Sequence, residues 1–284
     1  MGGTLIRYIL VKIYLFLVSI ANLFFRTLLG NPYKSSYRLN LYHRALEKYL
    51  ISRRNRRARN IDFSIVIPFH QKNRYSFLLR ALKSLEENNY EGLEVILIDQ
   101  TENLRLSELR QVYSGRLLII PSKPVQSSIA RNLGKLWCKN DYLIFLDDDN
   151  YFHKNHFRLL RLLILKFEYF AVLYVGCITD FSKTKFSFFP FYRSALLHRN
   201  LSDTNAFVFR RESFVDFQIW DPDQIGCEDW RMLCDLICAG ISIKSFPIPS
   251  VFLTSDAPNR VTLNHDFEVA KFRAVEKLRN FLEN

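Results

Sequence analysis

From residue 63 onward, short apolar runs alternate with amphipathic stretches. The runs at 63–67, 93–98, 116–120 and 142–146 have strand length and are bounded by turn residues, the first stopped by Pro68. Between them the period changes to that of a helix. The stretch 74–87 puts Phe77, Leu78, Ala81, Leu82 and Leu85 on one side, 104–112 predicts a short helix, and Ser127 or Ser128 caps a helix running to Cys138. A helix over 155–167 follows the fourth run. This β-α-β-α rhythm with apolar strands predicts an α/β fold, a mostly parallel central sheet flanked by helices.

Beyond residue 170 the rhythm loosens. Strands are expected at 171–178, 205–210 and 243–246, and helices from Glu228 to Ala239, closed by Gly240, and over 266–282. The stretch 181–192 holds five aromatic residues from Phe186 to Tyr192 beside Lys183 and Lys185, and reads either as a loop over the core or as a flap touching lipid or acceptor.

Ahead of this region the pattern differs. Residues 5–29 are strongly apolar, but Arg7, Lys12 and Arg26 interrupt them. The uncharged run 13–25 is shorter than the ~20 residues a spanning helix needs, with a tilted span as the alternative. At 100° per residue, Lys12, Ser19, Asn22 and Arg26 fall on one narrow face, which favours a helix lying in a membrane interface over one packed on the protein. A secretory signal fits poorly, because no small-residue cleavage site follows the apolar run. After Asn31-Pro32 a second helix is expected over 37–51, with Leu39, Tyr42, Leu46, Tyr49 and Leu50 as its stripe. Arginines 53, 54, 56, 57 and 59 follow, each worth ~1 kcal/mol of attraction to an anionic surface. The expected organisation is a membrane-associating segment over 1–60, a catalytic domain over 61–256 and a terminal helix over 257–284.

Composition sharpens one point. Lysine and arginine number 40 against 28 acids, a net charge of +12, so an anionic partner is expected. Nucleic acid is the weaker choice, since no helix-turn-helix, zinc or base-stacking motif accompanies the charge. The five cysteines have no Cys-x-x-Cys spacing and point to a reduced compartment, with Cys234 and Cys238 as core residues. The formal glycosylation sequon at Asn200 has no secretory context.

The chemistry concentrates after the fourth apolar run, where Phe145-Leu146 passes directly into Asp147-Asp148-Asp149. Adjacent carboxylates repel one another, and burial raises that cost. A hard divalent cation makes the arrangement favourable, because Mg2+ and Mn2+ take carboxylate oxygens. In open α/β sheets ligands bind at the carboxyl ends of strands, where this triplet falls.

Five stretches line up in order: Phe63-Ser64-Ile65-Val66-Ile67-Pro68, Val95-Ile96-Leu97-Ile98-Asp99, Ala130-Arg131-Asn132-Leu133-Gly134, the acid triplet, and Glu228-Asp229-Trp230. Together they resemble the family 2 inverting glycosyltransferases with the glycosyltransferase-A fold, over about residues 62–256. The resemblance implies that Asp149 binds a divalent metal, Mn2+ or Mg2+, with Asp147 beside it on the ribose or sugar side and Asp148 contributing. It implies that Asp229 is the base that takes the acceptor hydroxyl's proton. It also places Pro68, His70, Asp99 and Arg131 around the nucleotide. Gln100 and Thr101 stand where the family has a second acid and a glycine, and His70 where it often has tyrosine, which leaves the nucleobase open. His265 is a candidate further metal ligand, or simply an exposed helix-start histidine.

The expected function is inverting transfer of a sugar from a nucleotide-sugar donor to a glycan or lipid-linked acceptor, at an anionic membrane surface and on its cytoplasmic side. A sugar nucleotidylyltransferase would carry a glycine-rich loop after the first strand, and 68–72 has no glycine. A catalytically inactive membrane scaffold need not keep Asp147, Asp149 and Asp229.

Overall fold

The structure is a computed structural model. It describes residues 36–51, 60–102, 104–167, 170–179, 185–254 and 266–283. The apolar segment 5–29, the arginine run 53–59 and His265 lie outside these residues.

Strands β1 (Phe63–Phe69), β2 (Leu93–Asp99), β3 (Arg116–Pro121) and β4 (Tyr142–Phe145) form a parallel half-sheet in the order β3-β2-β1-β4. The connections carry α2 (Tyr75–Glu87), the short α3 (Leu106–Leu109) and α4 (Ser127–Lys135), after an earlier helix, α1 (Ser36–Leu50). Beyond β4 come β5 (Tyr151–Phe152), α5 (His156–Lys166), β6 (Val172–Thr179), β7 (Lys185–Ser187), β8 (Phe207–Arg210), α6 (Glu228–Cys238), β9 (Ile243–Leu253) and α7 (Phe267–Glu283). Here the sheet becomes mixed: β8 is antiparallel to β4 and β6, β9 parallel to β6, and β5 antiparallel to β9.

Strand alternation explains how both faces are covered. On β1, Phe63, Ile65 and Ile67 enter one core with Leu78, Leu82 and Leu85 of α2 and Leu160 of α5. Val66 points the other way, into a second core with Phe145, Trp220, Trp230 and Leu233, and Leu278 of α7. Phe188 is buried in that second core, and Phe189 and Phe191 pack against it, so this part of the aromatic stretch lies over the core.

Several boundaries differ from the sequence reading, and three of them have a clear physical cause. Strand β1 runs through Pro68 to Phe69 rather than stopping. Leu146 N–H donates to the Val66 carbonyl, so Pro68, two residues on, turns its nitrogen to the same side, where β4 has already ended. Strand β9 continues to Leu253 despite Pro247 and Pro249, because its register against β6 shifts around Gly176 and absorbs them. Helix α4 starts without a serine cap, since Gln126 holds the cap position, and it ends at Lys135.

Helix α1 is built into this body. Leu39, His43 and Leu50 are buried, the Tyr42 hydroxyl donates to the Pro247 carbonyl at 2.9 Å, and His43 Nε2 lies 3.2 Å from the Pro249 carbonyl. Among the described residues, no helix is long and apolar enough to cross a membrane.

Candidate active site

Strand β4 is short because its last apolar residue gives way to the acids. Leu146 makes the final sheet bond, and the chain turns so that Asn150 N–H donates to the Asp147 carbonyl at 3.1 Å. Three neighbouring carboxylates in one turn need separate partners. Asp147 takes Arg131, whose Nη2 lies 2.7 Å from Oδ1, while Asn205 Nδ2 donates to Oδ2 at 3.1 Å. Asp148 Oδ1 and Asp149 Oδ2 both face a single nitrogen, Arg74 Nη2, each at 2.6 Å. Asp148 Oδ2 is buried without a hydrogen-bond partner.

The turn is pinned from behind. Arg80 Nη2 donates to the Asp149 carbonyl at 2.7 Å and to Thr254 Oγ1 at 2.5 Å. Thr254 N–H donates to Asn150 Oδ1 at 2.9 Å, and the Arg80 guanidinium lies 4.9 Å over the Tyr151 ring. These contacts join the end of β9 to the acid turn, so the backbone is held while the carboxylates face the cleft.

Arg131 reaches Asp147 because α4 lies close on the sheet. A β-carbon on Gly134 would stand 2.3 Å from Val66 Cγ1, so only glycine allows this approach. The Arg131 guanidinium lies 4.8 Å over the fully buried Trp220 ring, which meets Phe145 edge-on at 5.1 Å. Asn132 fixes that indole's backbone, donating to the Trp220 carbonyl at 2.7 Å. The Ala-Arg-Asn-Leu-Gly segment thus supplies a cation, a clamp and a close contact at fixed spacing.

The opposite wall is the start of α6. Gly226 and Cys227 have φ of 76° and 54°, and this left-handed pair bends the chain so that Glu228 and Asp229 enter the first helical turn facing the cleft. Burial and the nearby Asp203 push the Asp229 carboxyl up to about 7, against the lowering effect of its hydrogen bond with Asn200. Burial also raises Asp203, and the charge of Asp147 adds to it. Burial opposes ionisation of Asp147 too, but Arg131 and Asn205 outweigh it and hold that carboxyl below its ordinary value. For Asp148 burial wins and lifts it to about 8, despite Arg74. The site therefore holds acids of opposite tendency: Asp147 stays ionised, and Asp229 sits near neutrality, where a group can both accept and release a proton.

The cleft between these walls has a volume of about 730 Å³, and Pro68, His70, Arg131, Asp147, Asp148, Asp149 and Asp229 all line it. Asp99 does not. Its Oδ1 accepts from Thr101 N–H at 2.8 Å and Thr101 Oγ1 at 2.7 Å, and its Oδ2 from Leu104 N–H at 3.2 Å. Both oxygens are turned to the loop after β2.

Arg74, Asp203, Asn205 and Lys271 were not singled out by sequence. Arg74 lies in the β1–α2 turn, where a cation beside Lys72 and Asn73 carries no pattern. Asp203 and Asn205 belong to a 3-10 turn before β8, where Asn205 Oδ1 accepts from Asp147 N–H at 2.6 Å and Asp203 Oδ1 accepts from Asn205 N–H at 3.0 Å. Asn200, the sequon residue, lines the cleft as well.

Among the described residues, no three acidic, histidine or cysteine side chains form a ready metal centre. The donor set still suits a hard divalent ion: Asp149, with the unpartnered buried oxygen of Asp148 beside it, offers carboxylate oxygens facing the cleft.

The sequence of residues 64–223, more than half of the chain, matches the pattern of glycosyl transferase family 2. The amylovoran biosynthesis glycosyltransferase AmsB of Erwinia amylovora is 30% identical over 116 residues, 39% of this chain and 38% of that protein. An uncharacterized glycosyltransferase of Haemophilus influenzae is 33% identical over 90 residues, 31% of this chain and 30% of that protein. The chain thus spans well under half the length of these relatives. Among solved structures, S. aureus TarS in complex with UDP-GlcNAc superposes with a TM-score of 0.64 at 14% identity, covering 79% of this chain and 67% of that one. GalNAc-T7 with UDP, GalNAc and Mn2+ gives 0.55 at 18% identity, covering 77% and 48%. At these identities the likeness establishes the fold, that of the glycosyltransferase-A enzymes.

Proposed function

The chain belongs to glycosyl transferase family 2, and from that premise we propose that it transfers one sugar, with inversion and with a divalent metal, from a nucleoside diphosphate sugar to an acceptor hydroxyl. The observation that carries the reading is the pairing of walls: an acid turn held on two arginines faces a half-buried carboxyl whose pKa is pushed up to about 7.

In this reading Asp149, with Asp147 and Asp148 alongside, would hold the ion, which would supply Lewis-acid charge for the departing diphosphate. Arg131, fixed by Trp220 and Asp147, orients the donor and adds positive charge to the same region. Asp229 takes the proton of the acceptor hydroxyl as it attacks the anomeric carbon, and a single displacement with one base inverts that centre. Burial serves Asp229 here, because a base whose pKa is pushed up to about 7 is about half in its accepting form at neutral pH and stronger than an ordinary carboxylate.

The structures of TarS with UDP-GlcNAc and of GalNAc-T7 with UDP and Mn2+ support a nucleotide-sugar donor and a metal. AmsB is named for amylovoran biosynthesis, which supports a glycan acceptor. The apolar segment 5–29 and the arginines at 53–59 support a lipid-linked or envelope acceptor at the cytoplasmic face of a membrane.

The test is release of nucleoside diphosphate from a panel of nucleotide sugars, with Mn2+ or Mg2+ and isolated membranes as acceptor. Release from one donor that rises when membranes are added is the expected result. No release from any donor, with the nucleotides shown to bind, would overturn the transferase reading.

A further inference from the structure

Arg74 is the least expected member of this site. Its side chain is 6% exposed, and one nitrogen, Nη2, stands 2.6 Å from both Asp148 Oδ1 and Asp149 Oδ2. A divalent ion on these acids would sit ~2.0–2.1 Å from their oxygens. The guanidinium and such an ion therefore contend for one position.

We infer that Arg74 is a diphosphate-binding residue held in reserve, occupying Asp148 and Asp149 in the free protein and moving onto the donor's diphosphate when those acids take the metal. This rests on the metal-dependent transfer proposed above. Three observations support the exchange. Arg74 closes a 3-10 turn, Lys72–Arg74, at the cap position of α2, and its side chain makes no capping bond, so it can swing without costing the helix a partner. Its Nε is buried without a partner, so its present place leaves a donor unused. And Asp147 is already engaged by Arg131 and Asn205, so once displaced, Arg74 finds its open direction toward the cleft, where a diphosphate offers the oxygens a guanidinium binds well.

The exchange makes metal and diphosphate bind cooperatively. Without diphosphate, the ion must displace a cation that has nowhere as favourable to go; with it, the displaced cation gains a partner.

Mn2+ binding to the purified full chain, read from loss of the free-ion EPR signal with and without UDP, tests this. Wild type should bind Mn2+ weakly alone and about ten-fold or more tightly with UDP. Arg74→Ala should bind Mn2+ alone about ten-fold or more tightly than wild type, and bind UDP about ten-fold or more weakly at saturating Mn2+. Arg74→Lys keeps the charge and guards against a misfolded alanine variant; it should fall between the two in Mn2+ affinity and hold UDP within a few-fold of wild type. Folding of each is followed by thermal denaturation. Unchanged or weaker Mn2+ binding in folded Arg74→Ala, or unchanged UDP binding, overturns the exchange while leaving the transferase reading intact. Absence of Mn2+ binding in all three proteins, with and without UDP, overturns the metal reading itself and the exchange with it.

Discussion

Arg131 Nη2 lies 2.7 Å from Asp147 Oδ1, and this contact ties α4 to the acid turn after β4. The two residues are 16 apart in sequence and come from different layers of the fold. What lets them meet is Gly134, where α4 passes Val66 too closely for any β-carbon.

Gly134→Ala should therefore act on both stability and donor binding. Val66 is fully buried and β-branched, so it cannot yield, and overpacking of this kind costs roughly 1–3 kcal/mol. Urea denaturation should show that loss, and KM for donor should rise because Arg131 is lifted off Asp147. A variant as stable as wild type with unchanged KM would show that the helix has slack.

Asp229→Asn keeps the shape of the residue but cannot accept a proton. Loss of a general base lowers turnover ~10²–10⁴-fold, while donor affinity should hardly change. In wild type the rate should climb with pH and level off above about 7, because a base of raised pKa is protonated, and idle, below that value. Near-normal turnover in the variant, or a wild-type profile flat from pH 5 to 8, would place the proton acceptor elsewhere.

Much of this was legible beforehand, for identifiable reasons. The strand ends, the triplet and the Ala-Arg-Asn-Leu-Gly segment are contiguous in sequence, so pattern alone exposes them. Asp203 and Asn205 were not, since their role depends on β8 lying antiparallel to β4, a long-range pairing with no local signature. Strand β9 runs on past the expected 243–246 through Pro247 and Pro249, which the register shift around Gly176 accommodates, a long-range pairing that local pattern does not carry. Asp99 shows the converse: its position after β2 fits the family pattern, while its carboxylate is turned to Thr101 and Leu104, near the place where the sequence departs from that pattern.

Asn205 clamps the acid turn through both ends of its amide. Asn205→Ala leaves Asp147 N–H without its acceptor and Asp147 Oδ2 without a donor. A hydrogen bond contributes about 0.5–1.5 kcal/mol net, and the loss should appear as a lower Tm together with reduced kcat. Asn205→Asp, which keeps the acceptor but sets a third acid beside Asp147 and Asp203, should be worse than alanine for activity. Equal activity in all three proteins would remove the clamp from the account.

Chelation should stop transfer and added Mn2+ restore it, and Asp149→Ala should be inactive yet folded. The backbone of Asp149 remains bound to Arg80 whatever the side chain, which is why the turn should survive the substitution. Full activity in excess chelator would contradict the metal assignment.

The way α1 is seated separates two properties that the first sixty residues combine. His43 and Leu50 are buried in the body, and Tyr42 bonds Pro247, so this helix is part of the folded unit. A fragment of residues 36–284 discards the apolar stretch and keeps both α1 and the arginines at 53–59. It should fold as the full chain does and bind anionic vesicles weakly, in a manner abolished by salt, because charge attraction is screened over ~8 Å at physiological strength whereas apolar insertion is not. A fragment of residues 61–284 would instead uncover the surface under α1 and should be prone to aggregate. The place to cut thus lies in front of α1, and a preparation cut there would report on sugar transfer with the apolar stretch 5–29 taken out of the assay.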